Sequence, residues 1–161
     1  MAQDQRADDH LERALAFAFR HLNRRERTCR EMREHLFKRG IEPPVLEAAI
    51  QELTGHGYLD DGRFARVFAQ DKRALSEWGS ARIRRELVAR GVDREHIDDA
   101  LAAHEDWAQP AEAELERARA LMRRRFPDGA RTRRDRERAL AVLLRKGYEY
   151  DLAARVLGSG P

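Results

Sequence analysis

Apolar residues recur three and four positions apart along nearly the whole chain. Leu11, Leu15, Phe19 and Leu22 fall on one helical stripe, as do Phe64, Phe68 and Leu75, and later Leu115, Met122 and Phe126. No stretch sustains an apolar/polar alternation rich in β-branched residues, so the pattern predicts an all-α protein of at least eight helices with no β-sheet. Start and stop signals divide the helices. Thr28 followed by Glu31 is a capping-box pair, and Pro43-Pro44 suits a first helical turn. Asp60, Ser80, Asp93 and Thr132 are expected N-caps. Gly40, Gly91 and Gly147 each close a charged helical run and read as left-handed C-terminal glycines.

Aligning the chain on those three glycines reveals an internal repeat. Leu36, Leu87 and Leu143 stand four residues before them, and Arg39, Arg90 and Lys146 one before. Ile41, Val92 and Tyr148 stand one after; Leu46, Ile97 and Ala153 six after; Ile50, Leu101 and Leu157 ten after. The glycines are 51 and 56 residues apart. A leading helix precedes each unit, so each reads as helix, helix, glycine turn, helix. The expected organisation is a flexible N-terminus over residues 1–9, then three-helix modules over 10–54, 58–106 and 110–158. Together they would form an elongated, curved row.

Charge follows the repeat. The 161 residues carry 32 Lys+Arg against 29 Asp+Glu, a net +3, but the two signs are segregated. Residues 20–39 and 63–90 each hold eight basic and three acidic side chains, whereas residues 40–61 hold five acids and no base. Residues 93–118 hold nine acids and two bases, and residues 119–138 nine bases and three acids. Such faces either meet solvent or pair between units. Arg greatly outnumbers Lys, which reads as the bias of a GC-rich coding sequence, with phosphate recognition by Arg's flat five-donor fork as the other reading.

Little in the chain points to chemistry. There is no apolar run near 18 residues, and the N-terminus is polar, unlike a leader peptide. Cys29 is the only cysteine, and the six histidines at 10, 21, 35, 56, 96 and 104 form no close zinc-ligand spacing. Asp60-Asp61 and Asp98-Asp99 are sequence neighbours, which point apart on a helix and read as caps rather than an acid/base pair. Cys29 sits in a first helical turn and reads as a packed thiol. Trp78 reads as a plug between helices, with stacking on a base or a guanidinium as the other role, and Trp107 stands shortly before Pro110. No Walker A, GxGxxG or GxSxG pattern occurs. The expectation is a non-enzymatic protein with no cofactor and no metal.

Helix, helix, turn, helix also suggests DNA reading. Yet the third helices carry Glu42, Glu47 and Glu52, and Asp93, Glu95, Asp98 and Asp99 against one Arg94. A duplex groove repels such helices. The basic first and second helices remain suited to phosphate backbone or to an acidic protein groove.

Gly57-Tyr58-Leu59-Asp60-Asp61, Arg63-Phe64-Ala65, Lys72, Trp78-Gly79, Arg82-Ile83, Glu86-Leu87 and Gly91-Val92 together resemble the central repeat of the RecX family, bacterial regulators of the RecA recombinase. The resemblance spans about residues 11–157 and departs most in the third unit, where Ala139 replaces Met32 and Ile83 of the earlier ones. It implies a cytoplasmic, monomeric, non-enzymatic inhibitor lying along RecA–DNA filaments. Such a protein regulates recombination, DNA repair and the SOS response. The contact candidates are Arg66, Lys72, Arg73, Arg82, Arg84 and Arg85 around the middle module, then Arg123, Arg124 and Arg125, toward RecA or single- or double-stranded DNA. The alternative is a DNA-binding regulator with no recombinase partner.

Overall fold

The computed structural model describes residues 2–103 and 110–158, so His104 and Trp107 lie outside the described residues. Among the described residues the chain forms nine helices and no strand. They are α1 Ala2–Leu22, α2 Cys29–Lys38, α3 Pro43–Gly55, α4 Asp61–Ser76, α5 Ser80–Ala89, α6 Arg94–Ala102, α7 Pro110–Arg125, α8 Arg133–Lys146 and α9 Tyr150–Leu157. Residues 2–9, within the stretch expected as a flexible N-terminus, are helical and continue α1; no glycine or proline interrupts residues 2–22.

Each consecutive set of three helices closes on its own core. Met32 and Leu36, Ile83 and Leu87, and Ala139 and Leu143 are fully buried at equivalent places in the three second helices. The third core keeps its volume by exchange. Ala139 and Ala153 stand where larger residues stand elsewhere, and buried Tyr148 fills the place of Ile41 and Val92. Packing density of this kind is what fixes one arrangement of the helices.

The first helices differ from the expected stripe. Among the described side chains of α1 the buried ones are Ala14 and Ala18, and α4 buries Ala65 and Ala69 beside Phe64. An alanine pair at i and i+4 lets two helix backbones approach closely, and it turns larger neighbours outward. Phe19 is exposed and stacks edge-on against Tyr58 at 5.0 Å, and Leu75 is 82% exposed.

Caps set the entry of each second helix. Thr28 and Thr132 make capping boxes, with Glu31 and Asp135 returning to the cap nitrogens. Asp60 caps α4 by accepting from Arg63 N at 2.8 Å, which holds its carboxyl below the usual carboxylate range. Two expected caps differ. Ser80 is the first helical residue and Gly79 the cap, while Asp93 occupies a cap position without a side-chain cap bond. Gly79 is required there because an added Cβ would lie 2.4 Å from the Gly147 carbonyl oxygen.

Candidate partner-binding surface

The modules join through one arrangement used twice. At the first joint the N-terminus of α2 sits on the C-terminal turn of α5. Thr28 Oγ1 donates to Arg90 O at 2.7 Å, and Cys29 N donates to Asp61 Oδ1 at 2.8 Å. At the second joint the N-terminus of α5 sits on the C-terminal turn of α8. Gly79 N donates to Lys146 O at 2.9 Å, and Ser80 N donates to Glu114 Oε1 at 2.7 Å. Each time a carboxylate from the next module's first helix satisfies an orphan amide of a helix start. Each time a C-terminal carbonyl of the next module's second helix accepts the other contact. The second helices α2, α5 and α8 therefore meet end to end, positive pole on negative pole.

Ion pairs follow the same repeat. Arg90 pairs with Glu31 at 2.7 Å across the first joint, and Lys146 pairs with Glu77 at 3.6 Å across the second. Inside the modules, Arg33 holds Glu47 through two hydrogen bonds of 2.9 and 3.1 Å, and Arg84 holds Asp98 at 2.6 Å. The arginines stand seven residues before the repeat glycine and the acids seven after. Leu140 and Ala154 occupy these places in the third module. The acidic third helices of the first two modules are thus partly neutralised from within.

The nine candidate basic residues separate into two groups. Arg82 stacks over Trp78 at 4.0 Å and donates to Arg145 O at 3.0 Å. Lys72 lies 5.0 Å over the same indole and 5.4 Å over Phe68. Arg73 donates to Leu101 O at 3.0 Å, Arg84 holds Asp98, and Arg124 pairs with Glu77. These five serve the chain's own architecture. Arg66, Arg85, Arg123 and Arg125 are exposed, and Arg66 and Arg123 line a cleft with Arg73. Trp78 fills the turn between α4 and α5 against Phe68, with Arg82 stacked on it. Burial, reinforced by Asp61, pushes the Cys29 thiol pKa up, so the helix dipole does not activate it.

Composition and charge had not marked a further set. Phe37, Val88 and Leu144 are 69%, 57% and 41% exposed, and each stands three residues before its repeat glycine. One apolar side chain per module is thus held at the same place on successive second helices. The repeat register contained this signal, but only burial separates these residues from the core leucine one position earlier.

Family models for the first, second and third three-helix domains of RecX match residues 14–53, 60–101 and 112–157. The regulatory protein RecX of Xanthomonas axonopodis pv. citri is 41% identical over 141 residues, covering 86% of this chain and 80% of the relative. The chain belongs to the RecX family. The RecX regulatory protein of Stenotrophomonas maltophilia is 35% identical over 153 residues, covering 94% of this chain and 86% of the relative. The crystal structure of RecX from Lactobacillus salivarius has the same fold, with a TM-score of 0.78 at 20% identity over 93% of this chain and 96% of that one.

Proposed function

We propose that this chain binds along RecA–DNA filaments and restrains the recombinase, and so tempers recombination, repair and the SOS response. The family name supplies the partner. The observation that carries the mode of binding is the register of Phe37, Val88 and Leu144 on helices joined by one repeated joint. A partner that is itself a row of identical subunits offers repeated sites to such a row. Once one module is seated, the next binds at high effective concentration, so weak contacts combine into firm attachment. Exposed Arg85 and Arg125 add salt-dependent attraction to acidic protein or to phosphates. The protein acts as a cytoplasmic monomer, its modules arranged to reach neighbouring subunits.

Co-sedimentation with RecA, with and without single-stranded DNA, tests this reading. Wild-type protein is expected to pellet with the RecA–DNA filament and to slow its ATP turnover. The triple variant Phe37→Ser, Val88→Ser, Leu144→Ser is expected to remain in the supernatant while keeping its helical circular dichroism. Retention by naked DNA alone, with no added retention by RecA, would favour a DNA-binding regulator without a recombinase partner.

A further inference from the structure

Helices α4, α6 and α7 enclose a cleft of about 990 Å³ between the second and third modules. That is the size of a small-molecule site. Its walls are alanines, including Ala74, Ala100 and Ala120, so the space is left open by short side chains. Four arginines line it: Arg66, Arg73, Arg117 and Arg123. Glu116 is the one carboxylate among the described lining residues, and it bonds to Arg119 at 2.5 Å.

The two inner arginines are unusually placed. The Nε atoms of Arg73 and Arg117 are both buried without a hydrogen-bond partner. Burial, followed by the nearby Arg117 charge, lowers the Arg73 pKa from its ordinary value. Arg73 commits one Nη2 donor to Leu101 O, while its Nε stays unbonded. Glu114, already bonded by Ser80 N, offsets part of the charge at Arg73, and the arginines in excess of it disfavour one another in this partly buried cleft until a further anion arrives.

We propose that this cleft binds phosphate esters, held by the guanidinium groups of Arg66, Arg73, Arg117 and Arg123. The planar guanidinium fork matches two oxygens of one phosphate, and a phosphate presents its oxygens tetrahedrally, so guanidinium groups on different walls of the cleft can bind it at once. Among the described lining residues the polar groups that converge are guanidinium groups, which bind phosphate oxygens irrespective of base sequence. The phosphates come from a nucleic-acid backbone or from a free nucleotide. The site stands independently of the RecA reading, because it rests on this chain's own arginines. Arg117 lies in the acid-rich stretch of residues 93–118, which hid it from any reading of local charge.

Fluorescence anisotropy of a labelled thymidine oligomer, titrated with the full chain at several salt concentrations, is the test. Wild-type protein binds the oligomer, and millimolar inorganic pyrophosphate is the competitor. The double variant Arg117→Gln, Arg123→Gln is expected to bind at least about tenfold more weakly. Its log K against log salt slope should be shallower by about 1.4, for two lost single-strand phosphate contacts. Displacement by pyrophosphate assigns the site to free phosphates as well as polymer; no displacement, with the variant still defective, assigns it to the polymer. In the same buffers the oligomer should raise the Tm of wild type and not that of the variant. Arg123 is exposed, so Arg123→Gln alone keeps the fold and should give about half the slope change. Three results overturn the proposal: no binding of either probe by wild type, equal binding by wild type and variant, or a defect confined to a polyglutamate peptide.

Discussion

Thr28 is fully buried, and its hydroxyl donates to the carbonyl oxygen of Arg90, 62 residues away, at 2.7 Å. Thr28 Oγ1 also accepts from Glu31 N at 3.2 Å, so one side chain starts α2 and fastens it to the second module. Thr28→Val keeps the shape but removes both bonds and leaves the Arg90 carbonyl without this partner. A loss of about 1–3 kcal/mol is expected in chemical denaturation, with Thr28→Ser losing much less. A Val variant as stable as wild type would show that the joint does not depend on this hydroxyl.

The three repeat glycines make a graded test. All have positive φ: +75° at Gly40, +78° at Gly91 and +90° at Gly147. An added Cβ at Gly40 meets nothing within 4 Å, but at Gly147 it falls 2.2 Å from Arg82 Cβ and 2.8 Å from Arg82 N. Gly40→Ala should therefore cost only the left-handed penalty, about 1–2 kcal/mol. Gly147→Ala should cost more and loosen the third module from the second. Thermal melts give the first quantity, and hydrogen exchange at Gly79 N, which is bonded to Lys146 O, reports the second.

The core was legible in the sequence because each module repeats it at fixed offsets, and those offsets coincide with helix turns. Leu36, Leu87 and Leu143 could be placed without coordinates. Leu87→Ala should cost about 2–5 kcal/mol in denaturant, as deletion of a fully buried leucine does. The joints were not legible. They pair Thr28 with Arg90 and Arg82 with Arg145, residues 62 and 63 apart, and no local pattern records such a partner. The alanine faces of α1 and α4 were missed for another reason. Hydrophobic periodicity weighs large side chains, whereas close helix approach selects small ones. Charge density marked the basic segments but could not tell exposed Arg85 from Arg84, its chain neighbour, which Asp98 already holds.

Acid should weaken the first module through two histidines. His21 and His35 stack face to face with ring centroids 3.8 Å apart. Burial, then His35 and the nearby arginines, lowers the His21 pKa from 6.5 to about 4. Burial and Arg39 lower that of His35 as well. A depressed histidine pKa means that the unfolded chain takes up protons first. Stability is therefore present above pH 6.5 and is lost as pH falls from there toward 4. Denaturant midpoints measured across that window should decline, and His21→Gln should flatten the decline.

Arg82, Arg84 and Arg85 are close in sequence but should respond differently to charge reversal. Arg82→Glu removes a guanidinium stacked on Trp78 and bonded to Arg145 O, and sets a carboxylate toward that carbonyl. It should lower Tm and free the third module. Arg84→Glu turns the pair with Asp98 into a repulsion, and also undoes the hold that keeps the Asp98 carboxyl below its ordinary pKa. Its cost should be small, because both partners are about half exposed. Arg85→Glu meets only solvent, so Tm should stay within about 0.5 kcal/mol equivalent of wild type. Any loss of RecA–DNA filament binding by Arg85→Glu is then a loss of contact rather than of fold. Co-sedimentation of the three single variants beside their melts makes the separation. If Arg85→Glu is retained on the filament as fully as wild type while Arg82→Glu is released, then intact joints, and not the exposed charge of α5, govern attachment.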